Sequence, residues 1–370
     1  MKFSVIGNNP RAMGLLQELA GSAEHALVVG AISDRLAQLV TAAQISMRLV
    51  ETPEDAFLDS AVEAVIIGVD DTEESLRLCR AATQAEKYVV IVPPLECSPA
   101  FSFELHLILD ESRHAIVPLT GRFQLPGLQV PEKCLSFDRN GVLQIAAELT
   151  VEDSMIDSRT IRILQGLDIL SASGFDYTQV TALESLTPDG TLLSLLITLN
   201  SQSTVETPAP PATLMIRPRS LNPSSESELR VQRSTEPFLL LAISEQTPAL
   251  PRIEWLFRNR EASSKWMESF SVSLELAEAV KKSLRRRRTV DVHFDSGSER
   301  GVFKSQMTAM GCGVLTFMMF GMVAYLVIAQ LTSLPKWVLH TARILWITPL
   351  VLFLLAQALL PIARDRSGSK

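Results

Sequence analysis

The chain has 370 residues, enough for two domains, and with 20 % charged and 47 % hydrophobic residues it is neither disordered nor fibrous. A formal charge of −7 argues against a general nucleic-acid binder, and the charge is unevenly divided. From Lys281 to Lys370 there are 13 basic and 4 acidic residues, a net of +9, which leaves −16 on residues 1–280.

Strand and helix signals alternate from the first residues. Phe3 to Ile6 has strand character and ends at Gly7, and Arg11 to Ala20 has helical spacing. His25 to Ile32 is a second strand, followed by Ser33-Asp34-Arg35 and a helical stretch over 35–43. Thr52-Pro53 opens a helix, with Thr as cap and Pro at the first position. Ala61 to Gly68 reads as a buried strand, Glu73 to Ala85 as a helix and Tyr88 to Val92 as another strand. This alternation predicts a parallel sheet covered on both faces, a Rossmann-like α/β unit over residues 1–120.

Such sheets bind ligands beyond the carboxyl ends of their strands, above a glycine-bearing turn after the first strand. Here the turn reads Gly7-Asn8-Asn9-Pro10-Arg11-Ala12-Met13-Gly14. With two residues inserted, Gly14 supplies the last glycine of the G-x-G-x-x-G pattern, and Asn8 and Asn9 stand where left-handed dihedrals are tolerated. Asp34 lies 27 residues after Gly7, placed to accept hydrogen bonds from an adenosine ribose. Gly7, Asn8, Asn9, Arg11, Gly14, Asp34, Arg35 and Gly68 are therefore the candidate cofactor-binding residues. NAD is favoured over NADP by Asp34, while Arg35 leaves room for NADP.

Residues 121–305 turn strand-rich, with GVLQIAAELTV, TLLSLLITLN, ATLMIRP and FLLLAIS separated by Pro- and Ser-rich loops. They predict an α+β domain with an open, mainly antiparallel sheet. Trp266 to Leu284 is an amphipathic helix. Ser154, Asp157, Arg159, Thr160 and Arg162 either line a polar pocket or solvate a surface. The cysteines show no CxxC spacing, and no metal-binding motif, P-loop or nucleophile elbow is present, so no metal is expected.

The C-terminal part carries two long uncharged runs, one between Lys304 and Lys336 and one between Arg343 and Arg364. Each exceeds the roughly 20 apolar residues a bilayer core requires. They predict two transmembrane helices, 306–334 and 343–363, paired as a hairpin. Basic residues flank the hairpin on both outer sides (Lys281 to Lys304, then Arg364 to Lys370), which places the N-terminal domains and the C-terminus in the cytoplasm. Arg285 to Arg288 either meet anionic lipid headgroups or form a solvated helix end.

The ordered series FSVIG, RAMGLL, AISDR, TPEDAFLDSAVEAVIIG and KYVVIVPPLECSPA resembles the Gfo/Idh/MocA family of glucose-fructose oxidoreductases and inositol dehydrogenases. VPLTGRFQLPGL and RTVDVHFDSG extend the likeness more loosely. The resemblance implies hydride transfer between a nicotinamide and a sugar or polyol carbon, and an oligomer-forming second domain. It also shows departures: the family's nucleotide-contacting phrase after the third strand is altered to Gly68-Val69-Asp70-Asp71-Thr72, and two catalytic positions differ. Pro93 occupies the position of the family's Glu-Lys-Pro lysine, and the family's helix histidine falls at Leu164 or Gln165. Asp168 resembles the downstream aspartate of that helix and is the one catalytic candidate.

Three readings follow. The first is a membrane-anchored, catalytically degenerate homologue (a pseudoenzyme) that binds a dinucleotide or sugar-like ligand or scaffolds a membrane enzyme. The second is an active NAD(P)-dependent oxidoreductase with a relocated acid–base, acting on a sugar, polyol or glycan precursor. The third, a transport component, is weakened because the two apolar helices lack the intramembrane charges of a permeation path. Expected partners are the membrane, a second copy of the chain and a membrane enzyme, with no nucleic acid.

Overall fold

The computed structural model describes residues 1–31, 47–125, 141–151, 156–201, 209–221, 226–234, 239–244, 247–292 and 320–321. Two units divide the chain, residues 1–297 and 298–370.

The first unit opens with six strands: β1 (Lys2–Gly7), β2 (Ala26–Ala31), β3 (Arg48–Val50), β4 (Ala64–Gly68), β5 (Tyr88–Ile91) and β6 (Ile116–Pro118). They pair in parallel in the order β3-β2-β1-β4-β5-β6. This is the doubly wound arrangement with its switch point between β1 and β4. Intervening helices are α1 (Met13–Gly21), α2 (Pro53–Leu58), α3 (Thr72–Gln84) and α4 (Pro99–Glu111). Thr52 caps α2 by accepting from the Asp55 amide at 3.2 Å, as its sequence predicts.

Both faces of the sheet are buried, which explains its near-continuous Val/Ile runs. Along β4, Ala64 and Ile66 join the core beneath α1, while Val65 and Ile67 join the opposite core.

Seven further strands form the second sheet: β7 (Val142–Val151), β8 (Gln179–Leu186), β9 (Leu192–Asn200), β10 (Ala212–Pro218), β11 (Glu228–Arg233), β12 (Leu239–Ala242) and β13 (Val290–Asp291). Their order is β12-β11-β7-β10-β9-β8-β13. The sheet is mixed: β7 and β10 run parallel and the remaining pairs antiparallel. One face packs on α5 (Ile156–Ser171), with Leu167 and Leu170 fully buried against it.

After this sheet the chain returns to the first one. α6 (Leu250–Arg258) contributes Ile253, Leu256 and Phe257 to the α1-side core. The 27-residue α7 (Arg260–Arg286) bridges both layers: Met267, Phe270 and Leu274 enter the dinucleotide-type unit, Leu276 and Val280 the second core. The first core thus draws on residues well beyond position 120.

Among the described residues no helix is long and apolar enough to cross a membrane. The expected spans 306–334 and 343–363 lie outside the described residues apart from Phe320 and Gly321, as do Asp34, Arg35 and the helix expected over 35–43.

Candidate functional site

Strand β1 ends on Gly7, in register with Gly68 at the end of β4. Gly7 has φ +91°, and a Cβ there would stand 2.2 Å from the Gly68 carbonyl oxygen. Only glycine meets both demands. The turn that follows is tied to β4 rather than held open: the Asn9 amide donates to the Gly68 carbonyl at 3.0 Å, and half-buried Asn8 lies between.

Asn9 is buried and caps the helical entry. Its Oδ1 accepts from the Arg11 amide at 3.0 Å and from Arg11 Nε at 3.2 Å, and its Nδ2 donates to Asp70 Oδ1 at 2.7 Å. The Ala12 amide bonds the Asn9 carbonyl at 3.0 Å, and the Met13 amide bonds the Pro10 carbonyl. Pro10 has no amide hydrogen to offer.

The nucleotide cradle of this fold works by presenting free backbone N–H groups to a pyrophosphate. Here the amides of Asn9, Arg11, Ala12 and Met13 are all engaged within the protein. The Asn9 side chain fills the turn, and the Asp70 carboxylate adds a negative charge beside it. The described part of the cradle therefore does not fit a dinucleotide pyrophosphate.

Arg11 extends from this turn to donate through Nη2 to the carbonyl of Pro93. Burial lowers its pKa below the ordinary guanidinium value, opposed by Cys97 and the Asp70 carboxylate. Pro93 follows β5, and with it Arg11 lines a cleft of about 790 Å³ between the end of the first sheet and α5. Leu164 and Gln165 of α5 form another wall, so both positions at which the family pattern would carry Lys and His face the same cavity.

The 3-10 turn Gly121–Gln124 closes the cleft, packed so tightly that a Cβ on Gly121 would lie 2.4 Å from the Gln165 carbonyl oxygen. Gly14, exposed near the start of α1, also lines the cleft.

The cleft is lined by apolar residues together with polar groups that are mostly neutral hydrogen-bonding ones. Thr120 contributes a hydroxyl, buried and without a hydrogen-bond partner among the described residues, and Gln17, Gln124 and Gln165 contribute amides. Among the described residues, the ionisable ones lining the cleft are Arg11 and Glu18. Glu18 is committed to capping α6, accepting from the amides of Ala249 at 2.8 Å and Leu250 at 3.0 Å. Among the described residues no lysine, histidine, tyrosine or aspartate lines the cavity.

Asp168 stands elsewhere. It is fully buried, with Arg122 donating from its amide at 2.8 Å, from Nε at 3.0 Å and from Nη2 at 2.9 Å. The Arg122 guanidinium lies 4.2 Å over the Trp266 ring. Asp168 does not line the cleft, and this paired knot joins the 121–124 turn, α5 and α7.

The structure thus gathers Gly7, Asn8, Asn9, Arg11, Gly14 and Gly68 at one strand edge, apart from Asp168. Asp70, Thr120 and Glu18 were not singled out by sequence. Asp70 sits in the altered phrase after β4, which was the available signal. Among the described residues no group of three or more His, Cys, Asp and Glu could hold a metal.

No family model matches this sequence, and no curated protein matches it. Solved structures do match in fold. The myo-inositol dehydrogenase of Lactobacillus casei in complex with NAD(H) and myo-inositol is 14 % identical, with TM-score 0.60 over 80 % of this chain and 98 % of that one. The myo-inositol dehydrogenase of Corynebacterium glutamicum is 14 % identical, with TM-score 0.60 over 80 % and 99 %. The scyllo-inositol dehydrogenase of Lactobacillus casei with bound NAD(H) and scyllo-inositol is 12 % identical, with TM-score 0.56 over 79 % and 98 %. The fold of the chain is that of the inositol dehydrogenases.

Proposed function

We propose that this chain is a non-redox homologue of the inositol-dehydrogenase fold that binds a sugar- or polyol-like ligand in the cleft. The observation that carries the reading is the bond from Arg11 to the Pro93 carbonyl, at the position where the family resemblance calls for a proton-carrying lysine. A hydride transfer from an alcohol carbon requires a base within hydrogen-bonding reach, and general acid–base groups supply roughly 10²–10⁴ in rate. Proline supplies none, and Gln165 has no proton-accepting chemistry of the required strength. The side-chain amides of Gln17, Gln124 and Gln165 and the Thr120 hydroxyl, set among apolar walls, instead suit a neutral polyhydroxylated ligand.

The long apolar runs over 306–334 and 343–363 support anchoring of the head to a membrane, with both termini cytoplasmic. The face of the second sheet on which exposed Leu183 stands in register with Leu196, and Leu196 with Met215, supports association with a second copy. A membrane enzyme remains the natural partner of an anchored binding head.

A second reading, an active NAD(P)-dependent oxidoreductase with a relocated acid–base, is favoured by the NAD(H) held in structures of this fold. Incubating the full chain with NAD⁺ or NADP⁺ and a panel of inositols and sugars separates the two. The proposal expects ligand-induced thermal stabilisation by one or more polyols without NAD(P)H formation. Turnover abolished by a single substitution in the cleft would establish the second reading.

A further inference from the structure

A second, smaller cavity of about 260 Å³ lies beside the cleft and shares Arg11, Ile161 and Leu164 with it. Its character is different. Leu274, Ala277, Lys281 and Leu284 of α7 fall at spacings of three, four and three residues, so one helical stripe forms a wall that is apolar apart from a single cation. Leu95 and Ile163 complete an apolar interior, and Arg159 and Arg11 stand with Lys281 around it.

Among the described residues the lining of this cavity is positive. Arg159 is paired with Glu184 at 2.7 Å, which neutralises one of the three cations. Among the described residues the Arg11 guanidinium hydrogen-bonds the Asn9 amide oxygen and the Pro93 carbonyl, both uncharged, and feels the Asp70 carboxylate electrostatically. Exposed Lys281 forms no hydrogen bond or ion pair among the described residues. Cys97, the remaining ionisable group on the wall, is a buried thiol pushed up to about 11 by desolvation, so it adds no negative charge at neutral pH. Among the described residues the chamber is thus lined by three cations, with Glu184 paired to one of them and no carboxylate on its wall, which is complementary to a phosphate monoester carrying about −1.5 to −2 at pH 7.

We infer that this cavity is a binding site for an amphipathic phosphate: a phosphate monoester whose apolar chain enters between α5 and α7 and whose head meets Arg11 and Lys281. This goes beyond the cleft reading and does not depend on it, because it concerns another ligand class and, apart from Arg11, Ile161 and Leu164, other walls. Two sources share the chemistry, a soluble phosphorylated metabolite with a short apolar part and a phosphate-bearing lipid.

The test uses the full chain in nanodiscs of zwitterionic lipid, titrated calorimetrically with hexyl phosphate, inorganic phosphate and hexanol. Hexyl phosphate should bind at least about tenfold more tightly than either of the other two. Lys281→Gln, at an exposed position that leaves the fold intact, should weaken it about tenfold, and Ala277→Leu should weaken it by narrowing the chamber. Lengthening the alkyl chain separates the sources: affinity that keeps rising indicates a lipid, and affinity that falls once the chamber is full indicates a small metabolite. Equal binding of hexanol, equal binding of inorganic phosphate, or an unchanged affinity in Lys281→Gln would each overturn the inference.

Discussion

Asn9 donates from Nδ2 to Asp70 Oδ1 at 2.7 Å, and this contact closes the space between the ends of β1 and β4. In a doubly wound sheet that space is the switch point, where ligands enter between diverging crossovers. Here the same asparagine also holds the Arg11 amide and guanidinium. One side chain therefore substitutes for the anion that the helix entry would otherwise attract.

Asn9→Ala removes the cap and leaves the Arg11 amide unsatisfied. Replacing an asparagine cap by alanine costs about 0.5–2 kcal/mol, and the buried setting puts this one toward the upper end. Urea unfolding of the variant against the parent measures it. A difference near zero would show that the cap contributes nothing.

Gly7→Ala places a Cβ in left-handed backbone and against the Gly68 carbonyl. The conformation alone costs about 1–3 kcal/mol, and the contact forces β1 and β4 apart. The expected outcome is a clear fall in melting temperature of the head, read by circular dichroism.

Asp168→Ala strands the Arg122 guanidinium in the interior. Breaking a buried pair by removing one partner costs about 3–5 kcal/mol. The account expects loss of stability, partly recovered when Arg122 is also replaced by methionine. A variant that folds with parental stability but loses a measurable activity would instead make Asp168 a catalytic group.

Burial raises the Cys79 thiol from its ordinary value of 9.0 to about 12. The folded state thus retains the proton after the unfolded chain has released it. The resulting stability is fully present below pH 9 and is lost as pH rises through about 12. Unfolding free energies measured from pH 7 to pH 11 should fall at the alkaline end, and Cys79→Ala should flatten that slope.

Much of this architecture was legible in the sequence for physical reasons. Runs such as AVEAVIIG are buried on both faces and follow helices of regular period, so the parallel sheet could be read directly. The strand β11 was missed although Leu229 and Val231 alternate within ELRVQR, because its outward residues are charged and the run is short. α6 was missed although Pro251 near its start precedes Ile253, Leu256 and Phe257 at helical spacing. The Arg122–Asp168 pair joins positions 46 residues apart, and nothing local announces it. The engaged cradle was likewise hidden: Asn9 and Asp70 are separated by 61 residues, and their bond exists only once β1 and β4 are neighbours.

The closed cradle is tested most directly by titrating the full chain with NADH and NADPH, following both calorimetric heat and nicotinamide fluorescence. The account predicts no saturable binding up to millimolar cofactor. Saturable micromolar binding of either dinucleotide would contradict it.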